Sequence, residues 1–301
     1  MEPELDAVVI GAGPNGLAAA VELAQQGFSV QVLEAHAEVG GGTRTAELTL
    51  PGFHHDVCSA VHPLGELSPF LSRLPLDRYG LTWVHPQLSV AHPLDDGPCV
   101  TLSRSVADTA AGLGTDARAY RRLMDGFVRV GRPLVADLLG PLHIPHHPVA
   151  MARFGFYGVR SAVGLARGLF AEPRPRALFA GCAAHAILPL EQIFTAAVGL
   201  LFALSGHLCD WPVARGGSRA IAESRELSAL TRRSDCDWAA GRLATRAAQG
   251  AGVPVRPRAQ AAGRDRRRRP AAELPAPARA LQVRTGGVQA RLGTFGADPL
   301  A

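Results

Sequence analysis

Gly11, Gly13 and Gly16 stand in the spacing G-x-G-x-x-G, and Glu34 follows 18 residues after the last of them. That set suits one chemistry, the binding of a dinucleotide. The first glycine permits a tight turn and the second lets a pyrophosphate approach the backbone. The third lets a helix pack closely on the preceding strand, and the acidic residue accepts hydrogen bonds from ribose hydroxyls. Pro14 and Asn15 complete the loop and are counted with the binding residues. The flanking sequence supplies the elements such a loop needs. Asp6–Ile10, DAVVI, reads as a short buried parallel strand. The alanine-rich stretch after the loop reads as a helix ending at Gly27, and Ser29–Leu33 reads as a second strand leading to Glu34. The N-terminus of that helix offers unpaired N–H groups and the positive end of its dipole to phosphate. A glycine turn without a ligand is the plain alternative, and the strand–loop–helix–strand context argues against it.

A second glycine segment follows. Val39–Thr45 reads VGGGTRT, in which glycines, Gly41 and Gly42 among them, allow close backbone approach, Arg44 can pair with pyrophosphate charge, and Thr43 is counted with the binding residues. The alternative is a glycine-rich surface loop with an incidental arginine. The fingerprint alone does not separate FAD from NAD, since Glu34 suits either.

From Asp6 to Leu64 the sequence, including EAHAEVGGGTRTAELTLPGFHHDVCSAVHPL, resembles the phytoene desaturase-related FAD-dependent oxidoreductases. Within them it is most similar to the group called pyridine nucleotide-disulfide oxidoreductase domain-containing protein 2. The likeness continues through LFAGCAAHAILPLEQIFTAAVGLLFALSGH and WPVARGGSRAIAE to Glu223. The resemblance implies FAD as cofactor, an α/β Rossmann-like FAD-binding domain and a mostly helical substrate domain. It further implies hydride transfer from an apolar small-molecule substrate to flavin. It places a GG…R-x-T segment on FAD, and it places a P-x-x-G-G segment near flavin and substrate, which corresponds to Gly216 and Gly217 here. No residue stands out as an essential acid or base, so no catalytic residue is named.

These readings divide the chain into an FAD-binding βαβ unit over 1–66, a partial substrate or cap region over 67–223, and a tail over 224–301. The middle region patterns mostly as helix, with Ala117–Val135 and Ser161–Phe170 amphipathic or apolar. Ile193–Leu204 is apolar nearly all round and belongs in a core, either as an ordinary core helix or as the wall of an apolar substrate tunnel. His143, His146 and His147 cluster in HIPHHP, between prolines, and read as a surface loop rather than a metal site; no metal is expected. His54 and His55 read as hydrogen-bonded structural histidines, with a place near the flavin as the alternative.

Composition bounds the rest. The 301 residues are 47% hydrophobic, and all 31 basic residues are arginine, which points to a GC-rich, bacterial gene. Cys58, Cys99, Cys182, Cys209 and Cys236 form no CxxC pair and read as reduced thiols of a cytoplasmic protein. The amino end carries acids and no basic region before its apolar run, so it does not read as a signal peptide. The longest apolar stretch is too short for a bilayer of about 30 Å, and peripheral membrane contact stays open.

The net charge of +5 is unevenly held: residues 1–223 carry 16 Arg against 20 acids, residues 224–301 carry 15 Arg against 6. The tail has no apolar period, so disorder is its physical default. Nucleic-acid binding is its obvious functional reading, and without interleaved aromatics none is expected. A shifted codon frame explains more. One base out of frame, Leu230–Arg242 permits SLGGAIVTGRRV, and Gln282–Leu300 permits RYGPGVFKLDWALSAPIP. Both restore apolar patterning and resemble what the family carries next. A single-base slip near Glu223–Arg225 is the expectation, and with it a truncated product lacking the family's closing C-terminal segment. An inactive fragment is then the rival to an active oxidoreductase.

Overall fold

The computed structural model describes residues 5–230, apart from residue 96, with side chains described to residue 224. The expected slip lies near the end of this range; residues 224–230, read as the start of a disordered tail, are helical, and the rest of the tail, with its charge and shifted frame, falls outside the described residues. Strand β1 (Ala7–Ile10), helix α1 (Pro14–Gln25) and strand β2 (Val30–Leu33) form the expected unit. The strands pair in parallel, with Ala7 opposite Val30 and Ile10 opposite Leu33. Strands β3 (Thr45–Glu47) and β4 (His54–Asp56) then form an antiparallel hairpin. The short helix α2 (Pro63–Glu66) leads to β5 (Trp83–Val84), β6 (Val90–His92) and β7 (Val100–Leu102), the last two paired antiparallel.

The helical region follows as α3 (Val106–Ala111), α4 (Ala117–Val130), α5 (Arg132–Leu139), α6 (Pro148–Gly158), α7 (Ala162–Leu169), α8 (Pro173–Ala183) and α9 (Thr195–Cys209). Its core is continuous and well filled. In α4 the residues Tyr120, Leu123, Met124 and Phe127 are buried on one face at the i, i+3, i+4, i+7 spacing, while Arg121 and Arg122 face out. The amphipathic stretch expected to run from Ala117 to Val135 breaks at Gly131, whose φ of +67° suits glycine. Pro133 then sits in the first turn of α5, where its missing N–H costs no helical bond. Helix α9 is the central element: Ala196, Leu200 and Leu204 are fully buried against α8 and its neighbours. Small residues let the packing close. A Cβ on Gly199 would stand 2.8 Å from the Phe179 ring, and one on Gly206 would stand 2.5 Å from Leu102. The apolar run beginning at Ile193 is thus mostly core, although Ile193 and Phe194 precede the helix and are exposed.

Strand β8 (Val213–Ala214) pairs with β5, and helix α10 (Arg219–Leu230) ends the described chain. These two do not join the helical core. Ile221 and Ala214 pack with Val21, Leu71, Leu74, Leu76 and Leu81, and Ala222 packs with Ala12, Leu17, Val30 and Val32. Residues from 213 onward therefore return to α1 and close the nucleotide-binding unit from behind. The mixed α/β architecture, a Rossmann-like unit beside a mostly helical region, is the one expected.

One expectation needs correction. Residues 6–10 read as a strand buried on both faces, yet Val8 is 43% and Ile10 86% exposed. Among the described residues β1 has only β2 as a partner. Its inward side chains, Ala7 and Val9, pack toward α1, and nothing described covers the other face.

Candidate functional site

The three glycines meet three different physical demands. Gly11 has φ +98°, a conformation that only glycine adopts without strain. Gly16 is in the first turns of α1, and a Cβ there would stand 2.0 Å from the Gly11 carbonyl oxygen and 3.5 Å from Val9. Its lack of a side chain is what lets the helix rest on the strand. Gly13 differs from both. Its φ is −73°, an ordinary value, and a Cβ would meet nothing nearer than the Gly41 Cα at 3.9 Å. The protein's own packing therefore gives no reason for glycine at 13, whereas a phosphate seated on the backbone would. Gly13 is also the N-cap of α1, and no side chain caps that helix end. Pro14 and Asn15 occupy its first turn.

Glu34 lies at the end of β2 and is only 8% exposed. One carboxylate oxygen accepts from Ala12 N–H at 2.7 Å and the other from His36 N–H at 3.0 Å. Burial alone would raise its pKa, but the main-chain N–H groups of His36, Ala12 and Ala35 outweigh it and hold the group below its ordinary range. Glu34 is thus ionised at neutral pH and fixed beside the glycine loop, with acceptor capacity left for a further donor.

The VGGGTRT segment folds over the same loop. Gly40 has φ +115° and Gly41 φ +52°, and a Cβ on Gly41 would stand 3.1 Å from the Gly13 Cα. Gly40 N–H donates to the Ala12 carbonyl at 2.8 Å, and the Thr43 hydroxyl donates back to the Gly40 carbonyl. Arg44 is half-buried, its Nε donating to the Gly41 carbonyl at 3.0 Å, which ties the guanidinium to this turn. Gly42 lies against Cys58, and its carbonyl accepts from Ser59 N–H at 3.0 Å. Gly11, Gly13, Glu34, Gly41 and Arg44 therefore surround one feature, the open N-terminus of α1.

Gly216 and Gly217, distant in sequence, are brought to this segment. A Cβ on Gly217 would stand 2.6 Å from the Thr45 hydroxyl, so the loop rests directly on β3, whereas one on Gly216 would meet open space. Three polar residues not singled out from the sequence hold it there. Asp56 Oδ1 accepts from Ser218 N–H at 2.8 Å and from the Thr45 hydroxyl at 2.7 Å. Thr45 in turn accepts from Arg219 N–H at 3.1 Å, so two long-range side chains satisfy the start of α10. The Ser218 hydroxyl donates to the Ser59 carbonyl at 2.6 Å. It must then accept from His62 Nε2, 2.7 Å away, which fixes the proton on that nitrogen. No spacing rule flags Asp56, His62 and Ser218, because their partners lie some 160 residues apart.

The histidines outside this site fall elsewhere. His54 is exposed and 3.9 Å from Glu47, and His55 meets the Thr49 hydroxyl at 2.8 Å. His143 and His146 both contact Asp137 from the loop between α5 and α6. Of the described cysteines, all free, Cys182 and Cys209 are buried, and burial pushes each thiol up to about 12. No described helix is long and apolar enough to cross a membrane.

Comparison with known proteins accords with this geometry. Residues 9–74 match the family described as NAD(P)-binding Rossmann-like domain. The chain is 36% identical over 131 residues to pyridine nucleotide-disulfide oxidoreductase domain-containing protein 2 of Mus musculus, covering 43% of this chain and 21% of that protein. It is 31% identical over 124 residues to a limonene dehydrogenase polypeptide of Castellaniella defragrans, covering 40% and 22%. The matched region is thus about a fifth of the length of these relatives. Among solved structures, a putrescine oxidase shares 20% identity over 75% of this chain and 49% of that one, with a TM-score of 0.49. The family match thus takes in the glycine loop, Glu34 and the VGGGTRT segment, the residues that the geometry gathers at the start of α1.

Proposed function

We propose that the chain carries the adenosine- and pyrophosphate-binding half-site of an FAD-dependent oxidoreductase of the phytoene dehydrogenase-like kind. The observation that carries this reading is Gly13. It is a glycine that the fold itself does not require, at an uncapped helix N-terminus flanked by a buried carboxylate and an arginine. In this reading the N–H groups at the start of α1 and the Arg44 guanidinium hold the pyrophosphate, and Gly41 and Gly42 give it room. Glu34 orients the ribose hydroxyls. FAD held by these residues would supply the acceptor for a hydride from the substrate. The chain's own contribution is to bind, orient and exclude water. The Gly216–Gly217 loop, held on β3 by Asp56 and Ser218, lies toward the flavin and substrate. The substrate is an apolar small molecule, a reading supported by the names of the relatives that act on limonene and, in another match, on all-trans-retinol. Purified full-length protein is expected to be yellow, with about one FAD per chain released on denaturation; colourless protein that takes up no added FAD overturns the reading.

The exposed face of β1 favours a second reading, a product that does not retain the cofactor. Among the described residues β1 is a parallel strand bare on one face, an unusual and aggregation-prone arrangement. This reading goes with the proposed slip near codons 223–225. Nucleotide sequencing of codons 220–301 tests the slip directly: a missing or extra base is expected, and one intact frame throughout rules it out.

A further inference from the structure

The loop after α5 builds a cluster that the nucleotide site does not use. Asp137 Oδ1 lies 2.8 Å from His143 Nε2 and 2.7 Å from His146 Nδ1, and the three ligand-capable atoms lie within 4.8 Å of one another. Only two of the three histidines of HIPHHP join the cluster, and the third ligand comes from the preceding helix.

The surroundings of the cluster are as specific as the cluster. His143 Nδ1 lies 2.7 Å from the Pro141 carbonyl, which can only accept, so Nδ1 carries a proton. In neutral His143 the lone pair is then on Nε2 and points at a carboxylate oxygen, acceptor against acceptor. A proton or a cation between them resolves that opposition. Asp137 Oδ2 is held by two main-chain donors, His146 N–H at 3.0 Å and His147 N–H at 3.4 Å, so the carboxylate is fixed with Oδ1 turned to the rings. Its side chain is 1% exposed, while the His146 ring is 74% exposed. A ligating histidine whose other nitrogen is tied to a carbonyl, beside a carboxylate anchored by N–H groups, is the usual outer shell of a metal centre. Pro141 and Pro145 restrict the loop between these residues, and Pro148 begins the helix that follows it.

We propose that Asp137, His143 and His146 form a surface site for a borderline divalent transition-metal ion of the zinc class, with the remaining position open to solvent. Two imidazoles and one carboxylate suit zinc and disfavour calcium and magnesium, which take oxygen ligands. Bonds of about 2.0–2.2 Å to each ligand place tetrahedral neighbours roughly 3.3 Å apart. The two ring contacts must therefore open by about half an ångström, which the exposed His146 ring allows.

The test uses untagged full-length protein, stripped with chelator and titrated with zinc chloride against a chromophoric zinc indicator at pH 7.5. One zinc per chain is expected, with affinity falling about tenfold or more in Asp137→Asn and in His146→Gln. The second variant alters only an exposed ring, so thermal melts of both keep loss of binding separate from loss of fold. The cobalt-substituted protein is expected to show ligand-field bands without a thiolate charge-transfer band. Zinc affinity unchanged in folded His146→Gln, or a thiolate band pointing to Cys58 or Cys99, overturns the assignment.

Discussion

Gly13→Val is expected to lose FAD retention while melting within about 2–4 °C of the parent, and Gly16→Ala is expected to lose the fold first. At 13 a new Cβ has 3.9 Å of clearance and the backbone is already in an ordinary conformation, so the cost to the cofactor-free protein is confined to a poorer helix N-cap, about 1 kcal/mol. The valine instead occupies the space a phosphate needs, and FAD affinity is expected to fall about a hundredfold or more. At 16 the new methyl would meet a backbone oxygen at 2.0 Å, which cannot swing aside as a side chain can. The helix must lift from the strand, and overpacking of this kind costs about 3 kcal/mol or more. At about 2–4 °C per kcal/mol, the melting temperature is expected to drop by roughly 6–12 °C. Differential scanning fluorimetry, with and without added FAD, separates the two effects. A large melting drop for Gly13→Val in cofactor-free protein would show that the glycine serves packing, and the proposed phosphate seat would lose its main support.

That contrast marks how far the sequence could be read. The G-x-G-x-x-G spacing announced the strand, the turn and the helix because each glycine answers a local demand, and local demands repeat with fixed spacing. Helix α9 was legible for a similar reason: an apolar run without a polar face has nowhere to go but a core. Asp56, His62 and Ser218 were not legible. Their roles depend on residues 216–219 returning to β3, a tertiary event with no short-range pattern. The same holds for Asp137, which reads as one more surface acid until α5 places it under the histidine loop. The exposed face of β1 escaped the reading for the opposite reason. A run of β-branched residues shows that a strand suits burial on both faces, but it cannot show what covers them.

Asp56 carries the second large effect, because it joins the two halves of the site. It gathers the Ser218 N–H and the Thr45 hydroxyl on one oxygen, and Ser218 is fully buried, so removal leaves a donor with no water to replace the lost acceptor. Leaving a buried partner unsatisfied costs about 1–3 kcal/mol, and Asp56→Ala is expected to lose that much stability at neutral pH. It is also expected to weaken FAD binding, since the Gly216–Gly217 loop is held to β3 through this oxygen, whereas Asp56→Asn, which keeps an acceptor in place, is expected to retain much of both. The pH dependence has a definite sign. Burial tends to raise the Asp56 pKa, but the Ser218 N–H, the Thr45 hydroxyl and the nearby His62 together bring it below the ordinary 3.8. A carboxylate depressed by folding contributes stability above its unfolded pKa and loses it as pH falls through the folded value. The stability difference between parent and Asp56→Ala should therefore be constant from neutral pH down to about 4 and shrink only below that. Denaturant melts across this range check it. A difference that stays constant well below about pH 3 would mean that the ionised carboxylate contributes nothing, and that Asp56 acts only by filling space between β4 and the start of α10.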